Sequence, residues 1–599
     1  MNYKIINSIG IWFFGFVNII AQPNIIFFLI DDMGWTDVGY IEERYYTPSY
    51  YETPNINQLA KEGMEFTNGY ANAPNCAPSR AAIISGQYAP RTGIYTVWES
   101  IQGKPENRKL IPPKNTRNMK TEVFTVAEAL KTKGYATISI GKWHLGQSDE
   151  TGPLGQGFDV NIGGNTKGGP GHGGYFCPYN SLPNLDVCDT GEYLTDREAD
   201  EAIKFITENK DNPFFVYLPH YAIHVPHEAK DSITALFEDK PPSGTHKAPV
   251  YASMISSVDY NLGRIMKSVK DLGLESNTVV VFFSDNGGAG RRNVPLRAGK
   301  GSLYEGGIRE PLLIKWPGVT VPGSVCDVPV IGVDFFPTFV DMAGASIPND
   351  KVLDGESLVP LLNQSGPLKR QHIFWHLPVY LSGSSNNSGE EFYYYAFWRT
   401  TPAGAIRKGD YKLMEFFEYG QLELYNIKED MSETTNLALQ MPGKVYELRN
   451  AMYAWRDRVK APVPVELNPE YTGPPPTNYV TYEDIQPLLK FGCLDSDYVE
   501  YDTSANAHDS LMCQSTHASH KKEHKSDIRV EQFHNNISVS ADGEYTVVIE
   551  DLQGRSIVQV AGKNKGVYRF RESLDYGIYI LRILIKNEIA FAQIIYFSN

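Results

Sequence analysis

The sequence predicts an α/β protein: a buried sheet flanked by helices, then a smaller antiparallel sheet and a small all-β tail. Three observations carry that expectation. The runs Asn24–Ile30, Pro213–Pro219 and Val279–Ser284 are rich in β-formers and apolar on both faces, as strands covered by helices on both sides must be. Helical periodicity fills segments between and beside them, in Thr125–Lys133, Thr195–Lys210 and Tyr251–Lys270. Beyond Ile537 the pattern changes to period two, with Tyr545, Val547 and Ile549 on one face. A chain of 599 residues exceeds a single core, so about two or three domains are expected. Its net charge of −15 argues against a general polyanion-binding surface, and nucleic acid is not an expected partner. An anionic ligand would need a local cationic pocket.

Taken in order, the chain starts with Lys4 and an apolar run, Ile9–Ala21, broken only by Asn18. That run is too short for a comfortable membrane span and fits a secretory signal peptide over residues 1–21; a retained anchor is the alternative. No stable membrane span is expected. The first strand runs directly into Asp31-Asp32-Met33-Gly34-Trp35, placing carboxylates at a strand's carboxyl end, where open α/β sheets hold ligands. The strand at Val279–Ser284 repeats this with Asp285-Asn286-Gly287-Gly288. Two such ends can converge on one hard cation. Asp31, Asp32, Asp285 and Asn286 offer only oxygen donors, which favours Ca²⁺ or Mg²⁺ over zinc.

Thr53–Ala60 reads as a capped helix start. In Asn75-Cys-Ala-Pro-Ser-Arg-Ala-Ala-Ile-Ile-Ser-Gly86, Pro78 suits a first helical turn and Ala81–Ile84 can bury a face. Cys76 then sits where a loop meets the positive end of a helix, a place that lowers a thiol's pKa and attracts anions. Arg80 lies one turn on, on the same face. A lone cysteine is more often a buried structural residue. Tyr135–Ile140 is a strand that leads into Gly141-Lys142-Trp143-His144-Leu145-Gly146; in an extended segment Lys142 and His144 point the same way. Residues 151–193, rich in Gly and aromatics, lack a P-loop and read as a binding loop, with His172 either at the substrate or on the surface. Thr195 and Glu198 form a capping-box pattern. Pro219 and Pro226 flank His220 and His224 and disfavour a zinc-binding helix, leaving His220 and His227 as pocket wall or surface.

Of six cysteines, Cys177–Cys188 and Cys493–Cys513 are the expected disulfides in an exported chain, leaving Cys76 and Cys326 unpaired. Ala405–Lys412 and Glu423–Asp430 read as strands of a smaller sheet closed by a helix at Lys444–Val459. Past Pro464, Pro474-Pro-Pro476 marks a linker, His517–Lys525 a solvated hinge and Asp551–Arg555 a turn. Leu381–Glu391 reads only as an exposed loop.

Cys76-x-Pro78-Ser79-Arg80, running into a short apolar helix and Ser85-Gly86, resembles the signature of the Cys-type sulfatases. Asn293 to Pro311, including Lys300 and Arg309-Glu310-Pro311, is similar to that family's second signature region. Both acidic strand ends, Gly141–Gly146 and His224-Val225-Pro226 resemble further family stretches, and the likeness covers roughly residues 24–460. It implies an alkaline-phosphatase-like fold, with a large central mixed sheet flanked by helices over 22–365 and an antiparallel-sheet subdomain over 366–465. It also implies that a formylglycine-generating enzyme oxidises Cys76. The hydrated aldehyde would attack sulfur with one hydroxyl on an ion, usually calcium, held by Asp31, Asp32, residue 76, Asp285 and Asn286. Lys142 and Lys300 would neutralise sulfate oxygens and Arg80 would orient the nucleophile. His224 would protonate the leaving oxygen, and His144 would take the proton whose loss expels sulfate. The substrate implied is a sulfated carbohydrate. Within 466–530, the acidic stretch bounded by Cys493 and Cys513 resembles Asp-rich repeats of exported bacterial proteins. Residues 531–599 resemble a β-sandwich sorting domain of type IX secretion, implying that machinery as a partner and a secreted or cell-surface location. The rival readings are a phosphodiesterase or phosphonate hydrolase of the same superfamily, and a non-catalytic glycan-binding protein.

Overall fold

The computed structural model describes residues 22–599 except 47, 290–292, 383–397, 475, 497–501, 509, 514–528, 534–535, 551–555, 570–576, 586–587 and 598–599. The expected signal peptide, the His517–Lys525 hinge, the Asp551–Arg555 turn and most of the Leu381–Glu391 loop lie outside the described residues. Nine strands form the main sheet: β1 (Asn24–Ile30), β2 (Met64–Tyr70), β3 (Ala136–Ile140), β4 (Val160–Ile162), β5 (Phe214–Pro219), β6 (Thr278–Ser284), β7 (Arg309–Lys315), β8 (Ser324–Cys326) and β9 (Val330–Ile331). Their order is β4-β3-β5-β1-β6-β7-β2-β8, with β9 beside β2. The β4-to-β6 half is parallel, and β7 runs antiparallel to β6 and β2, so the sheet is mixed.

Alternation along β1 explains why the sheet is covered twice. Ile26, Phe28 and Ile30 face a core that includes Ala199 and Ile206 of the Leu194–Glu208 helix and Val258 and Leu262 of the Pro249–Asp271 helix. Ile25, Phe27 and Leu29 face Ala81 and Ile84 of the Cys76–Ser85 helix, Leu130, and Phe335 and Phe339 of the Phe335–Ala343 helix. Every one of these β1 residues is fully buried, and each such large side chain contributes about 1.5–3 kcal/mol. The three apolar runs singled out in the sequence are adjacent strands, β5-β1-β6. Their register pairs Leu29 with Pro219 and Ile30 with Ser284. Asp31, His220 and Asp285 therefore leave the same edge side by side.

Three local expectations are corrected. Thr53 precedes the Pro54–Glu62 helix but makes no side-chain cap; its hydroxyl accepts from Gly39 N at 2.7 Å instead. The 194–208 helix begins at Leu194, so Thr195 and Glu198 form no capping box. Glu198 turns inward to His220, 2.6 Å away, and His220 is a buried core residue rather than pocket wall or surface. A capping box does form at Thr125 and Glu128, at the start of the 126–131 helix.

A four-stranded antiparallel sheet follows, from β10 (Ile373–Leu377) and β13 (Ala403–Lys408), β14 (Tyr411–Phe416) and β15 (Gln421–Asn426); between them β11 (Leu381–Ser382) and β12 (Trp398–Thr400) form a separate short pair. The sheet is tied to the second signature region by buried charge: Lys412 Nζ lies 3.0 Å from Glu305 and 2.9 Å from Glu433. His376 on β10 packs against Trp455 of the Pro442–Val459 helix. Burial, helped by Arg456, drives its imidazole down to about 3. Below its ordinary value near 6.5 the unfolded chain binds a proton that the folded one refuses. Stability should therefore fall between pH 6 and 4 with a slope contribution of about 1.4 kcal/mol per pH unit from this group. Denaturant titrations of His376→Gln against the parent should show that acid slope reduced.

The chain divides into two compact units, one reaching to Gln440 and including Leu448–Ile485, the other Met441–Glu447 with Gln486–Asn599. In the second, the strands Arg529–Phe533, Asn536–Glu550, Ser556–Arg569, Gly577–Ile585 and Glu588–Phe597 make one antiparallel sheet among the described residues. A two-sheet sandwich was the expectation. Strands of 15 and 14 residues pair along almost their whole length, through register shifts, and keep one ladder continuous. Both expected disulfides are present, and Cys76 and Cys326 are free thiols. No helix of the described residues is long and apolar enough to cross a membrane.

Candidate active site

The helix Cys76–Ser85 starts at the cysteine because Asn75 caps it, accepting from Cys76 N at 3.1 Å, and ends at Gly86 in the left-handed region. Its first turn points at the carboxyl edge of β1 and β6. Cys76 Sγ lies 3.5 Å from Asp31 Oδ1 and 3.3 Å from Lys300 Nζ. Arg80, fully buried one turn on, donates from Nε to Asp285 Oδ2 at 2.7 Å and from Nη1 to the Lys142 carbonyl at 2.5 Å. Lys142 Nζ reaches Asp31 Oδ2 at 2.5 Å, and Lys300 Nζ reaches Asp32 Oδ1 at 2.5 Å. Three carboxylates thus face three cations in a largely buried cluster, where an unmatched charge would be costly. His224 Nε2 stands 3.9 Å from Asp32 Oδ2, while its Nδ1 must donate to the Val225 carbonyl at 2.8 Å. His144 completes the wall, its buried Nδ1 without a hydrogen-bond partner.

Two of these residues hold backbone conformations that side chains rarely adopt: Asp32 at φ 63° and His144 at φ 65°. Such strain persists where the surroundings fix it, commonly at functional sites. It also corrects one expectation. Lys142 and His144 follow β3 in a loop, not an extended segment, and that loop brings both to the pocket. Gly168 is required beside them, because a Cβ there would meet His144 Cε1 at 2.6 Å.

Burial dominates the electrostatics. It pushes the Cys76 thiol up to about 12, overriding the nearby Lys142 and Lys300. The expected lowering at a helix start is overturned, since desolvation and the carboxylates of Asp31 and Asp285 outweigh the cations. Burial raises Asp31 and Asp285 as well, and their neighbouring carboxylates add to it. Asp32 is raised by burial too, but Lys300, His224 and Lys142 together hold it well below the usual carboxylate range. Burial lowers His144 well below its ordinary value and His224 to about 4, with Lys142 reinforcing both.

The donor set suits a hard divalent ion. Asp31, Asp32 and Asp285 bring carboxylate oxygens within 4.8 Å of one another. Asn286 donates its Nδ2 to Asp32 at 2.7 Å, leaving its buried Oδ1 with no hydrogen-bond partner. Burying an amide oxygen unpaired costs free energy that an ion at that atom would recover. Every residue that sequence reasoning selected for chemistry falls here: Asp31, Asp32, Cys76, Arg80, Lys142, His144, His224, Asp285, Asn286 and Lys300. His172 is exposed and His227 lies on the surface against Tyr251. The reading missed the outer wall, where Asn75, Thr96, Trp98, Gln102 and Arg399 line the same cavity. Asn75 adjoins a motif, but the others carry no spacing signal.

The family model of sulfatases matches residues 23–345, a span that holds every residue selected for chemistry, from Asp31 to Lys300. The chain belongs to the sulfatase family. A second model, for the C-terminal part of N-sulphoglucosamine sulphohydrolase, matches residues 299–454. A sulfatase from Formosa agariphila is 30% identical over 512 residues, covering 74% of this chain and 90% of its own. Human N-acetylgalactosamine-6-sulfatase is 34% identical over 392 residues, covering 59% and 68%. The solved structure of Ps i-CgsB in complex with k-i-k-neocarrahexaose shares 28% identity with a TM-score of 0.59, covering 72% of this chain and 92% of that one. The fold is thus the alkaline-phosphatase-like one of sulfatases, and this sulfatase is a hydrolase of sulfate esters.

Proposed function

We propose that this sulfatase is exported and removes sulfate from a sulfated polysaccharide or its oligosaccharides, using a formylglycine made from Cys76 by a maturating enzyme. Asp31, Asp32, Asp285, Asn286 and residue 76 hold the metal, calcium rather than magnesium. The observation that carries this reading is the position of Cys76, between Asp31 and Lys300 at the end of a cavity whose lining, among the described residues, has cations but no carboxylate. A neutral, buried thiol is a poor nucleophile there, whereas an aldehyde hydrate needs no thiolate. A divalent ion at the four oxygen donors supplies Lewis-acid polarisation and leaves the pocket positive for an anionic ester.

The protein's own groups do the rest. Lys142 and Lys300 cancel charge on the sulfate oxygens, and Arg80, locked between Asp285 and Lys142, fixes the orientation of residue 76. One hydroxyl of the hydrate bonds to sulfur and releases its proton as the sulfur–alcohol bond breaks. His224, its Nδ1 committed to Val225, presents Nε2 to the pocket; charged there by that released proton, it protonates the departing oxygen. His144 then takes the proton of the second hydroxyl, the carbon–oxygen bond to sulfate breaks, and the aldehyde returns. A signal peptide over residues 1–21 and a type IX sorting tail over 531–599 would place this chemistry on the cell surface or outside it. The domain boundaries at 365, 465 and 530 belong to the same proposal.

Sulfate monoesters compared with phosphate monoesters and diesters decide against the phosphodiesterase alternative. Turnover of the sulfate ester should be faster by about a hundredfold or more. A defined panel of sulfated oligosaccharides, scored for desulfated product, then identifies the sugar. Preference for a phosphodiester would overturn the proposal.

A further inference from the structure

Beyond the reacting atoms the cavity, about 360 Å³, is lined by Trp98, Gln102 and Thr96 and by Leu381, Ser382 and Arg399. Arg399 is the unusual member. It is only part-buried, and among the described residues it makes no ion pair and no hydrogen bond. Its stem is seated on Gly301, the residue after Lys300: a Cβ at Gly301 would meet Arg399 Cδ at 2.6 Å. The Arg399 stem thus lies in the wall beside the sulfate-facing lysine, with no Asp or Glu among the described residues that line the cavity. An unpaired fork of donors in a concave wall is suited to bidentate binding of an anion. In the same cavity, Trp98 is 64% exposed although it is part of the lining. Its loop is held from behind, Asn115 Nδ2 donating to the Trp98 carbonyl at 2.6 Å and the Thr96 carbonyl at 3.0 Å. Arg117 sits against the indole at 5.7 Å, itself 3.4 Å from Glu99. An exposed aromatic ring on a pinned loop offers apolar area to a sugar ring at little entropic cost.

We propose that Arg399 and Trp98 form a subsite for a second anionic group on the substrate, with Trp98 stacking on the sugar and Arg399 pairing with a sulfate or carboxylate about one ring from the scissile ester. The inference rests on the glycan reading above and makes it narrower: the preferred substrate is a multiply anionic sugar, not a singly sulfated one. Sulfate and carboxylate share the two-oxygen geometry that a guanidinium reads.

The experiment uses three synthetic disaccharides: one with a single sulfate ester, one with a second sulfate on the neighbouring sugar, and one with a carboxylate in its place. For the parent protein, kcat/KM should be at least about tenfold higher for one or both dianionic compounds, and whichever of the two gains identifies the anion. Arg399→Ala should collapse that ratio to within about threefold, Arg399→Lys should restore part of it, and Trp98→Ala should raise KM on all three disaccharides more than it lowers kcat. Calorimetric binding of the same compounds is measured in parallel and needs no turnover. A tenfold affinity loss in Arg399→Ala with no sulfate release from any compound would keep the subsite and overturn the proposed chemistry. Equal kcat/KM and equal affinity for singly and doubly anionic disaccharides would overturn the subsite.

Discussion

Cys76→Ser is expected to fold as the parent does and to lose about 10⁴-fold or more in turnover of sulfate esters. The substitution exchanges one small buried side chain for another at the first turn of a helix whose capping comes from Asn75, so stability should change little. Chemistry should change a great deal. A serine or cysteine at this place can accept a sulfuryl group, but the resulting ester has no second hydroxyl on the same carbon. It therefore cannot expel sulfate by returning to an aldehyde, whatever His144 does. Mass spectrometry of the peptide containing residue 76 supplies the companion measurement: an aldehyde mass in the active parent, and an unmodified thiol only in inactive material. Full activity with an intact thiol would remove the formylglycine mechanism, while an active aldehyde-bearing protein excludes the non-catalytic alternative.

Removing the divalent ion should cost nearly as much. Chelation of the parent protein is expected to cut turnover by about 10³-fold and to lower Tm, with calcium restoring both. Asp285→Asn sharpens the test. The amide oxygen can still accept from Arg80 Nε, now 2.7 Å from Asp285 Oδ2, so the buried guanidinium keeps a partner and the fold should survive. What is lost is one of the three carboxylate charges gathered within 4.8 Å. Calcium should then raise Tm only at concentrations about a hundredfold higher than the parent needs, because ligand-linked stability follows the ratio of concentration to Kd. A parent Tm indifferent to both calcium and chelator would show that these carboxylates serve only to balance Arg80, Lys142 and Lys300.

Much of this site was legible because its residues follow strands. Asp31 and Asp285 stand at the carboxyl ends of apolar runs rich in β-formers, as buried parallel strands are, and Lys142 follows a third strand of the same sheet. Capping patterns were weaker guides. Thr125 with Glu128 forms its box, but the same pattern at Thr195 and Glu198 does not, because a buried His220 offers Glu198 a better partner than a helix end. The thiol of Cys76 shows the same limit. The helix start is where it was expected, yet depth of burial, which no local pattern encodes, sets the direction of its pKa.

The order of residues alone determined the strand ends, the two disulfides, the helix that begins at Cys76 and the set of oxygen, cationic and imidazole groups assigned to chemistry. These depend on periodicity, local backbone preference and motif, which act over a few neighbouring residues. Only the tertiary structure decided that Asp31 and Asp285 lie side by side through the Ile30–Ser284 register, that Asn286 keeps a buried oxygen unpaired, and that Arg399 and Trp98 share a cavity with Lys300. Those facts depend on contacts between segments hundreds of residues apart, where packing and desolvation, not local preference, set the outcome.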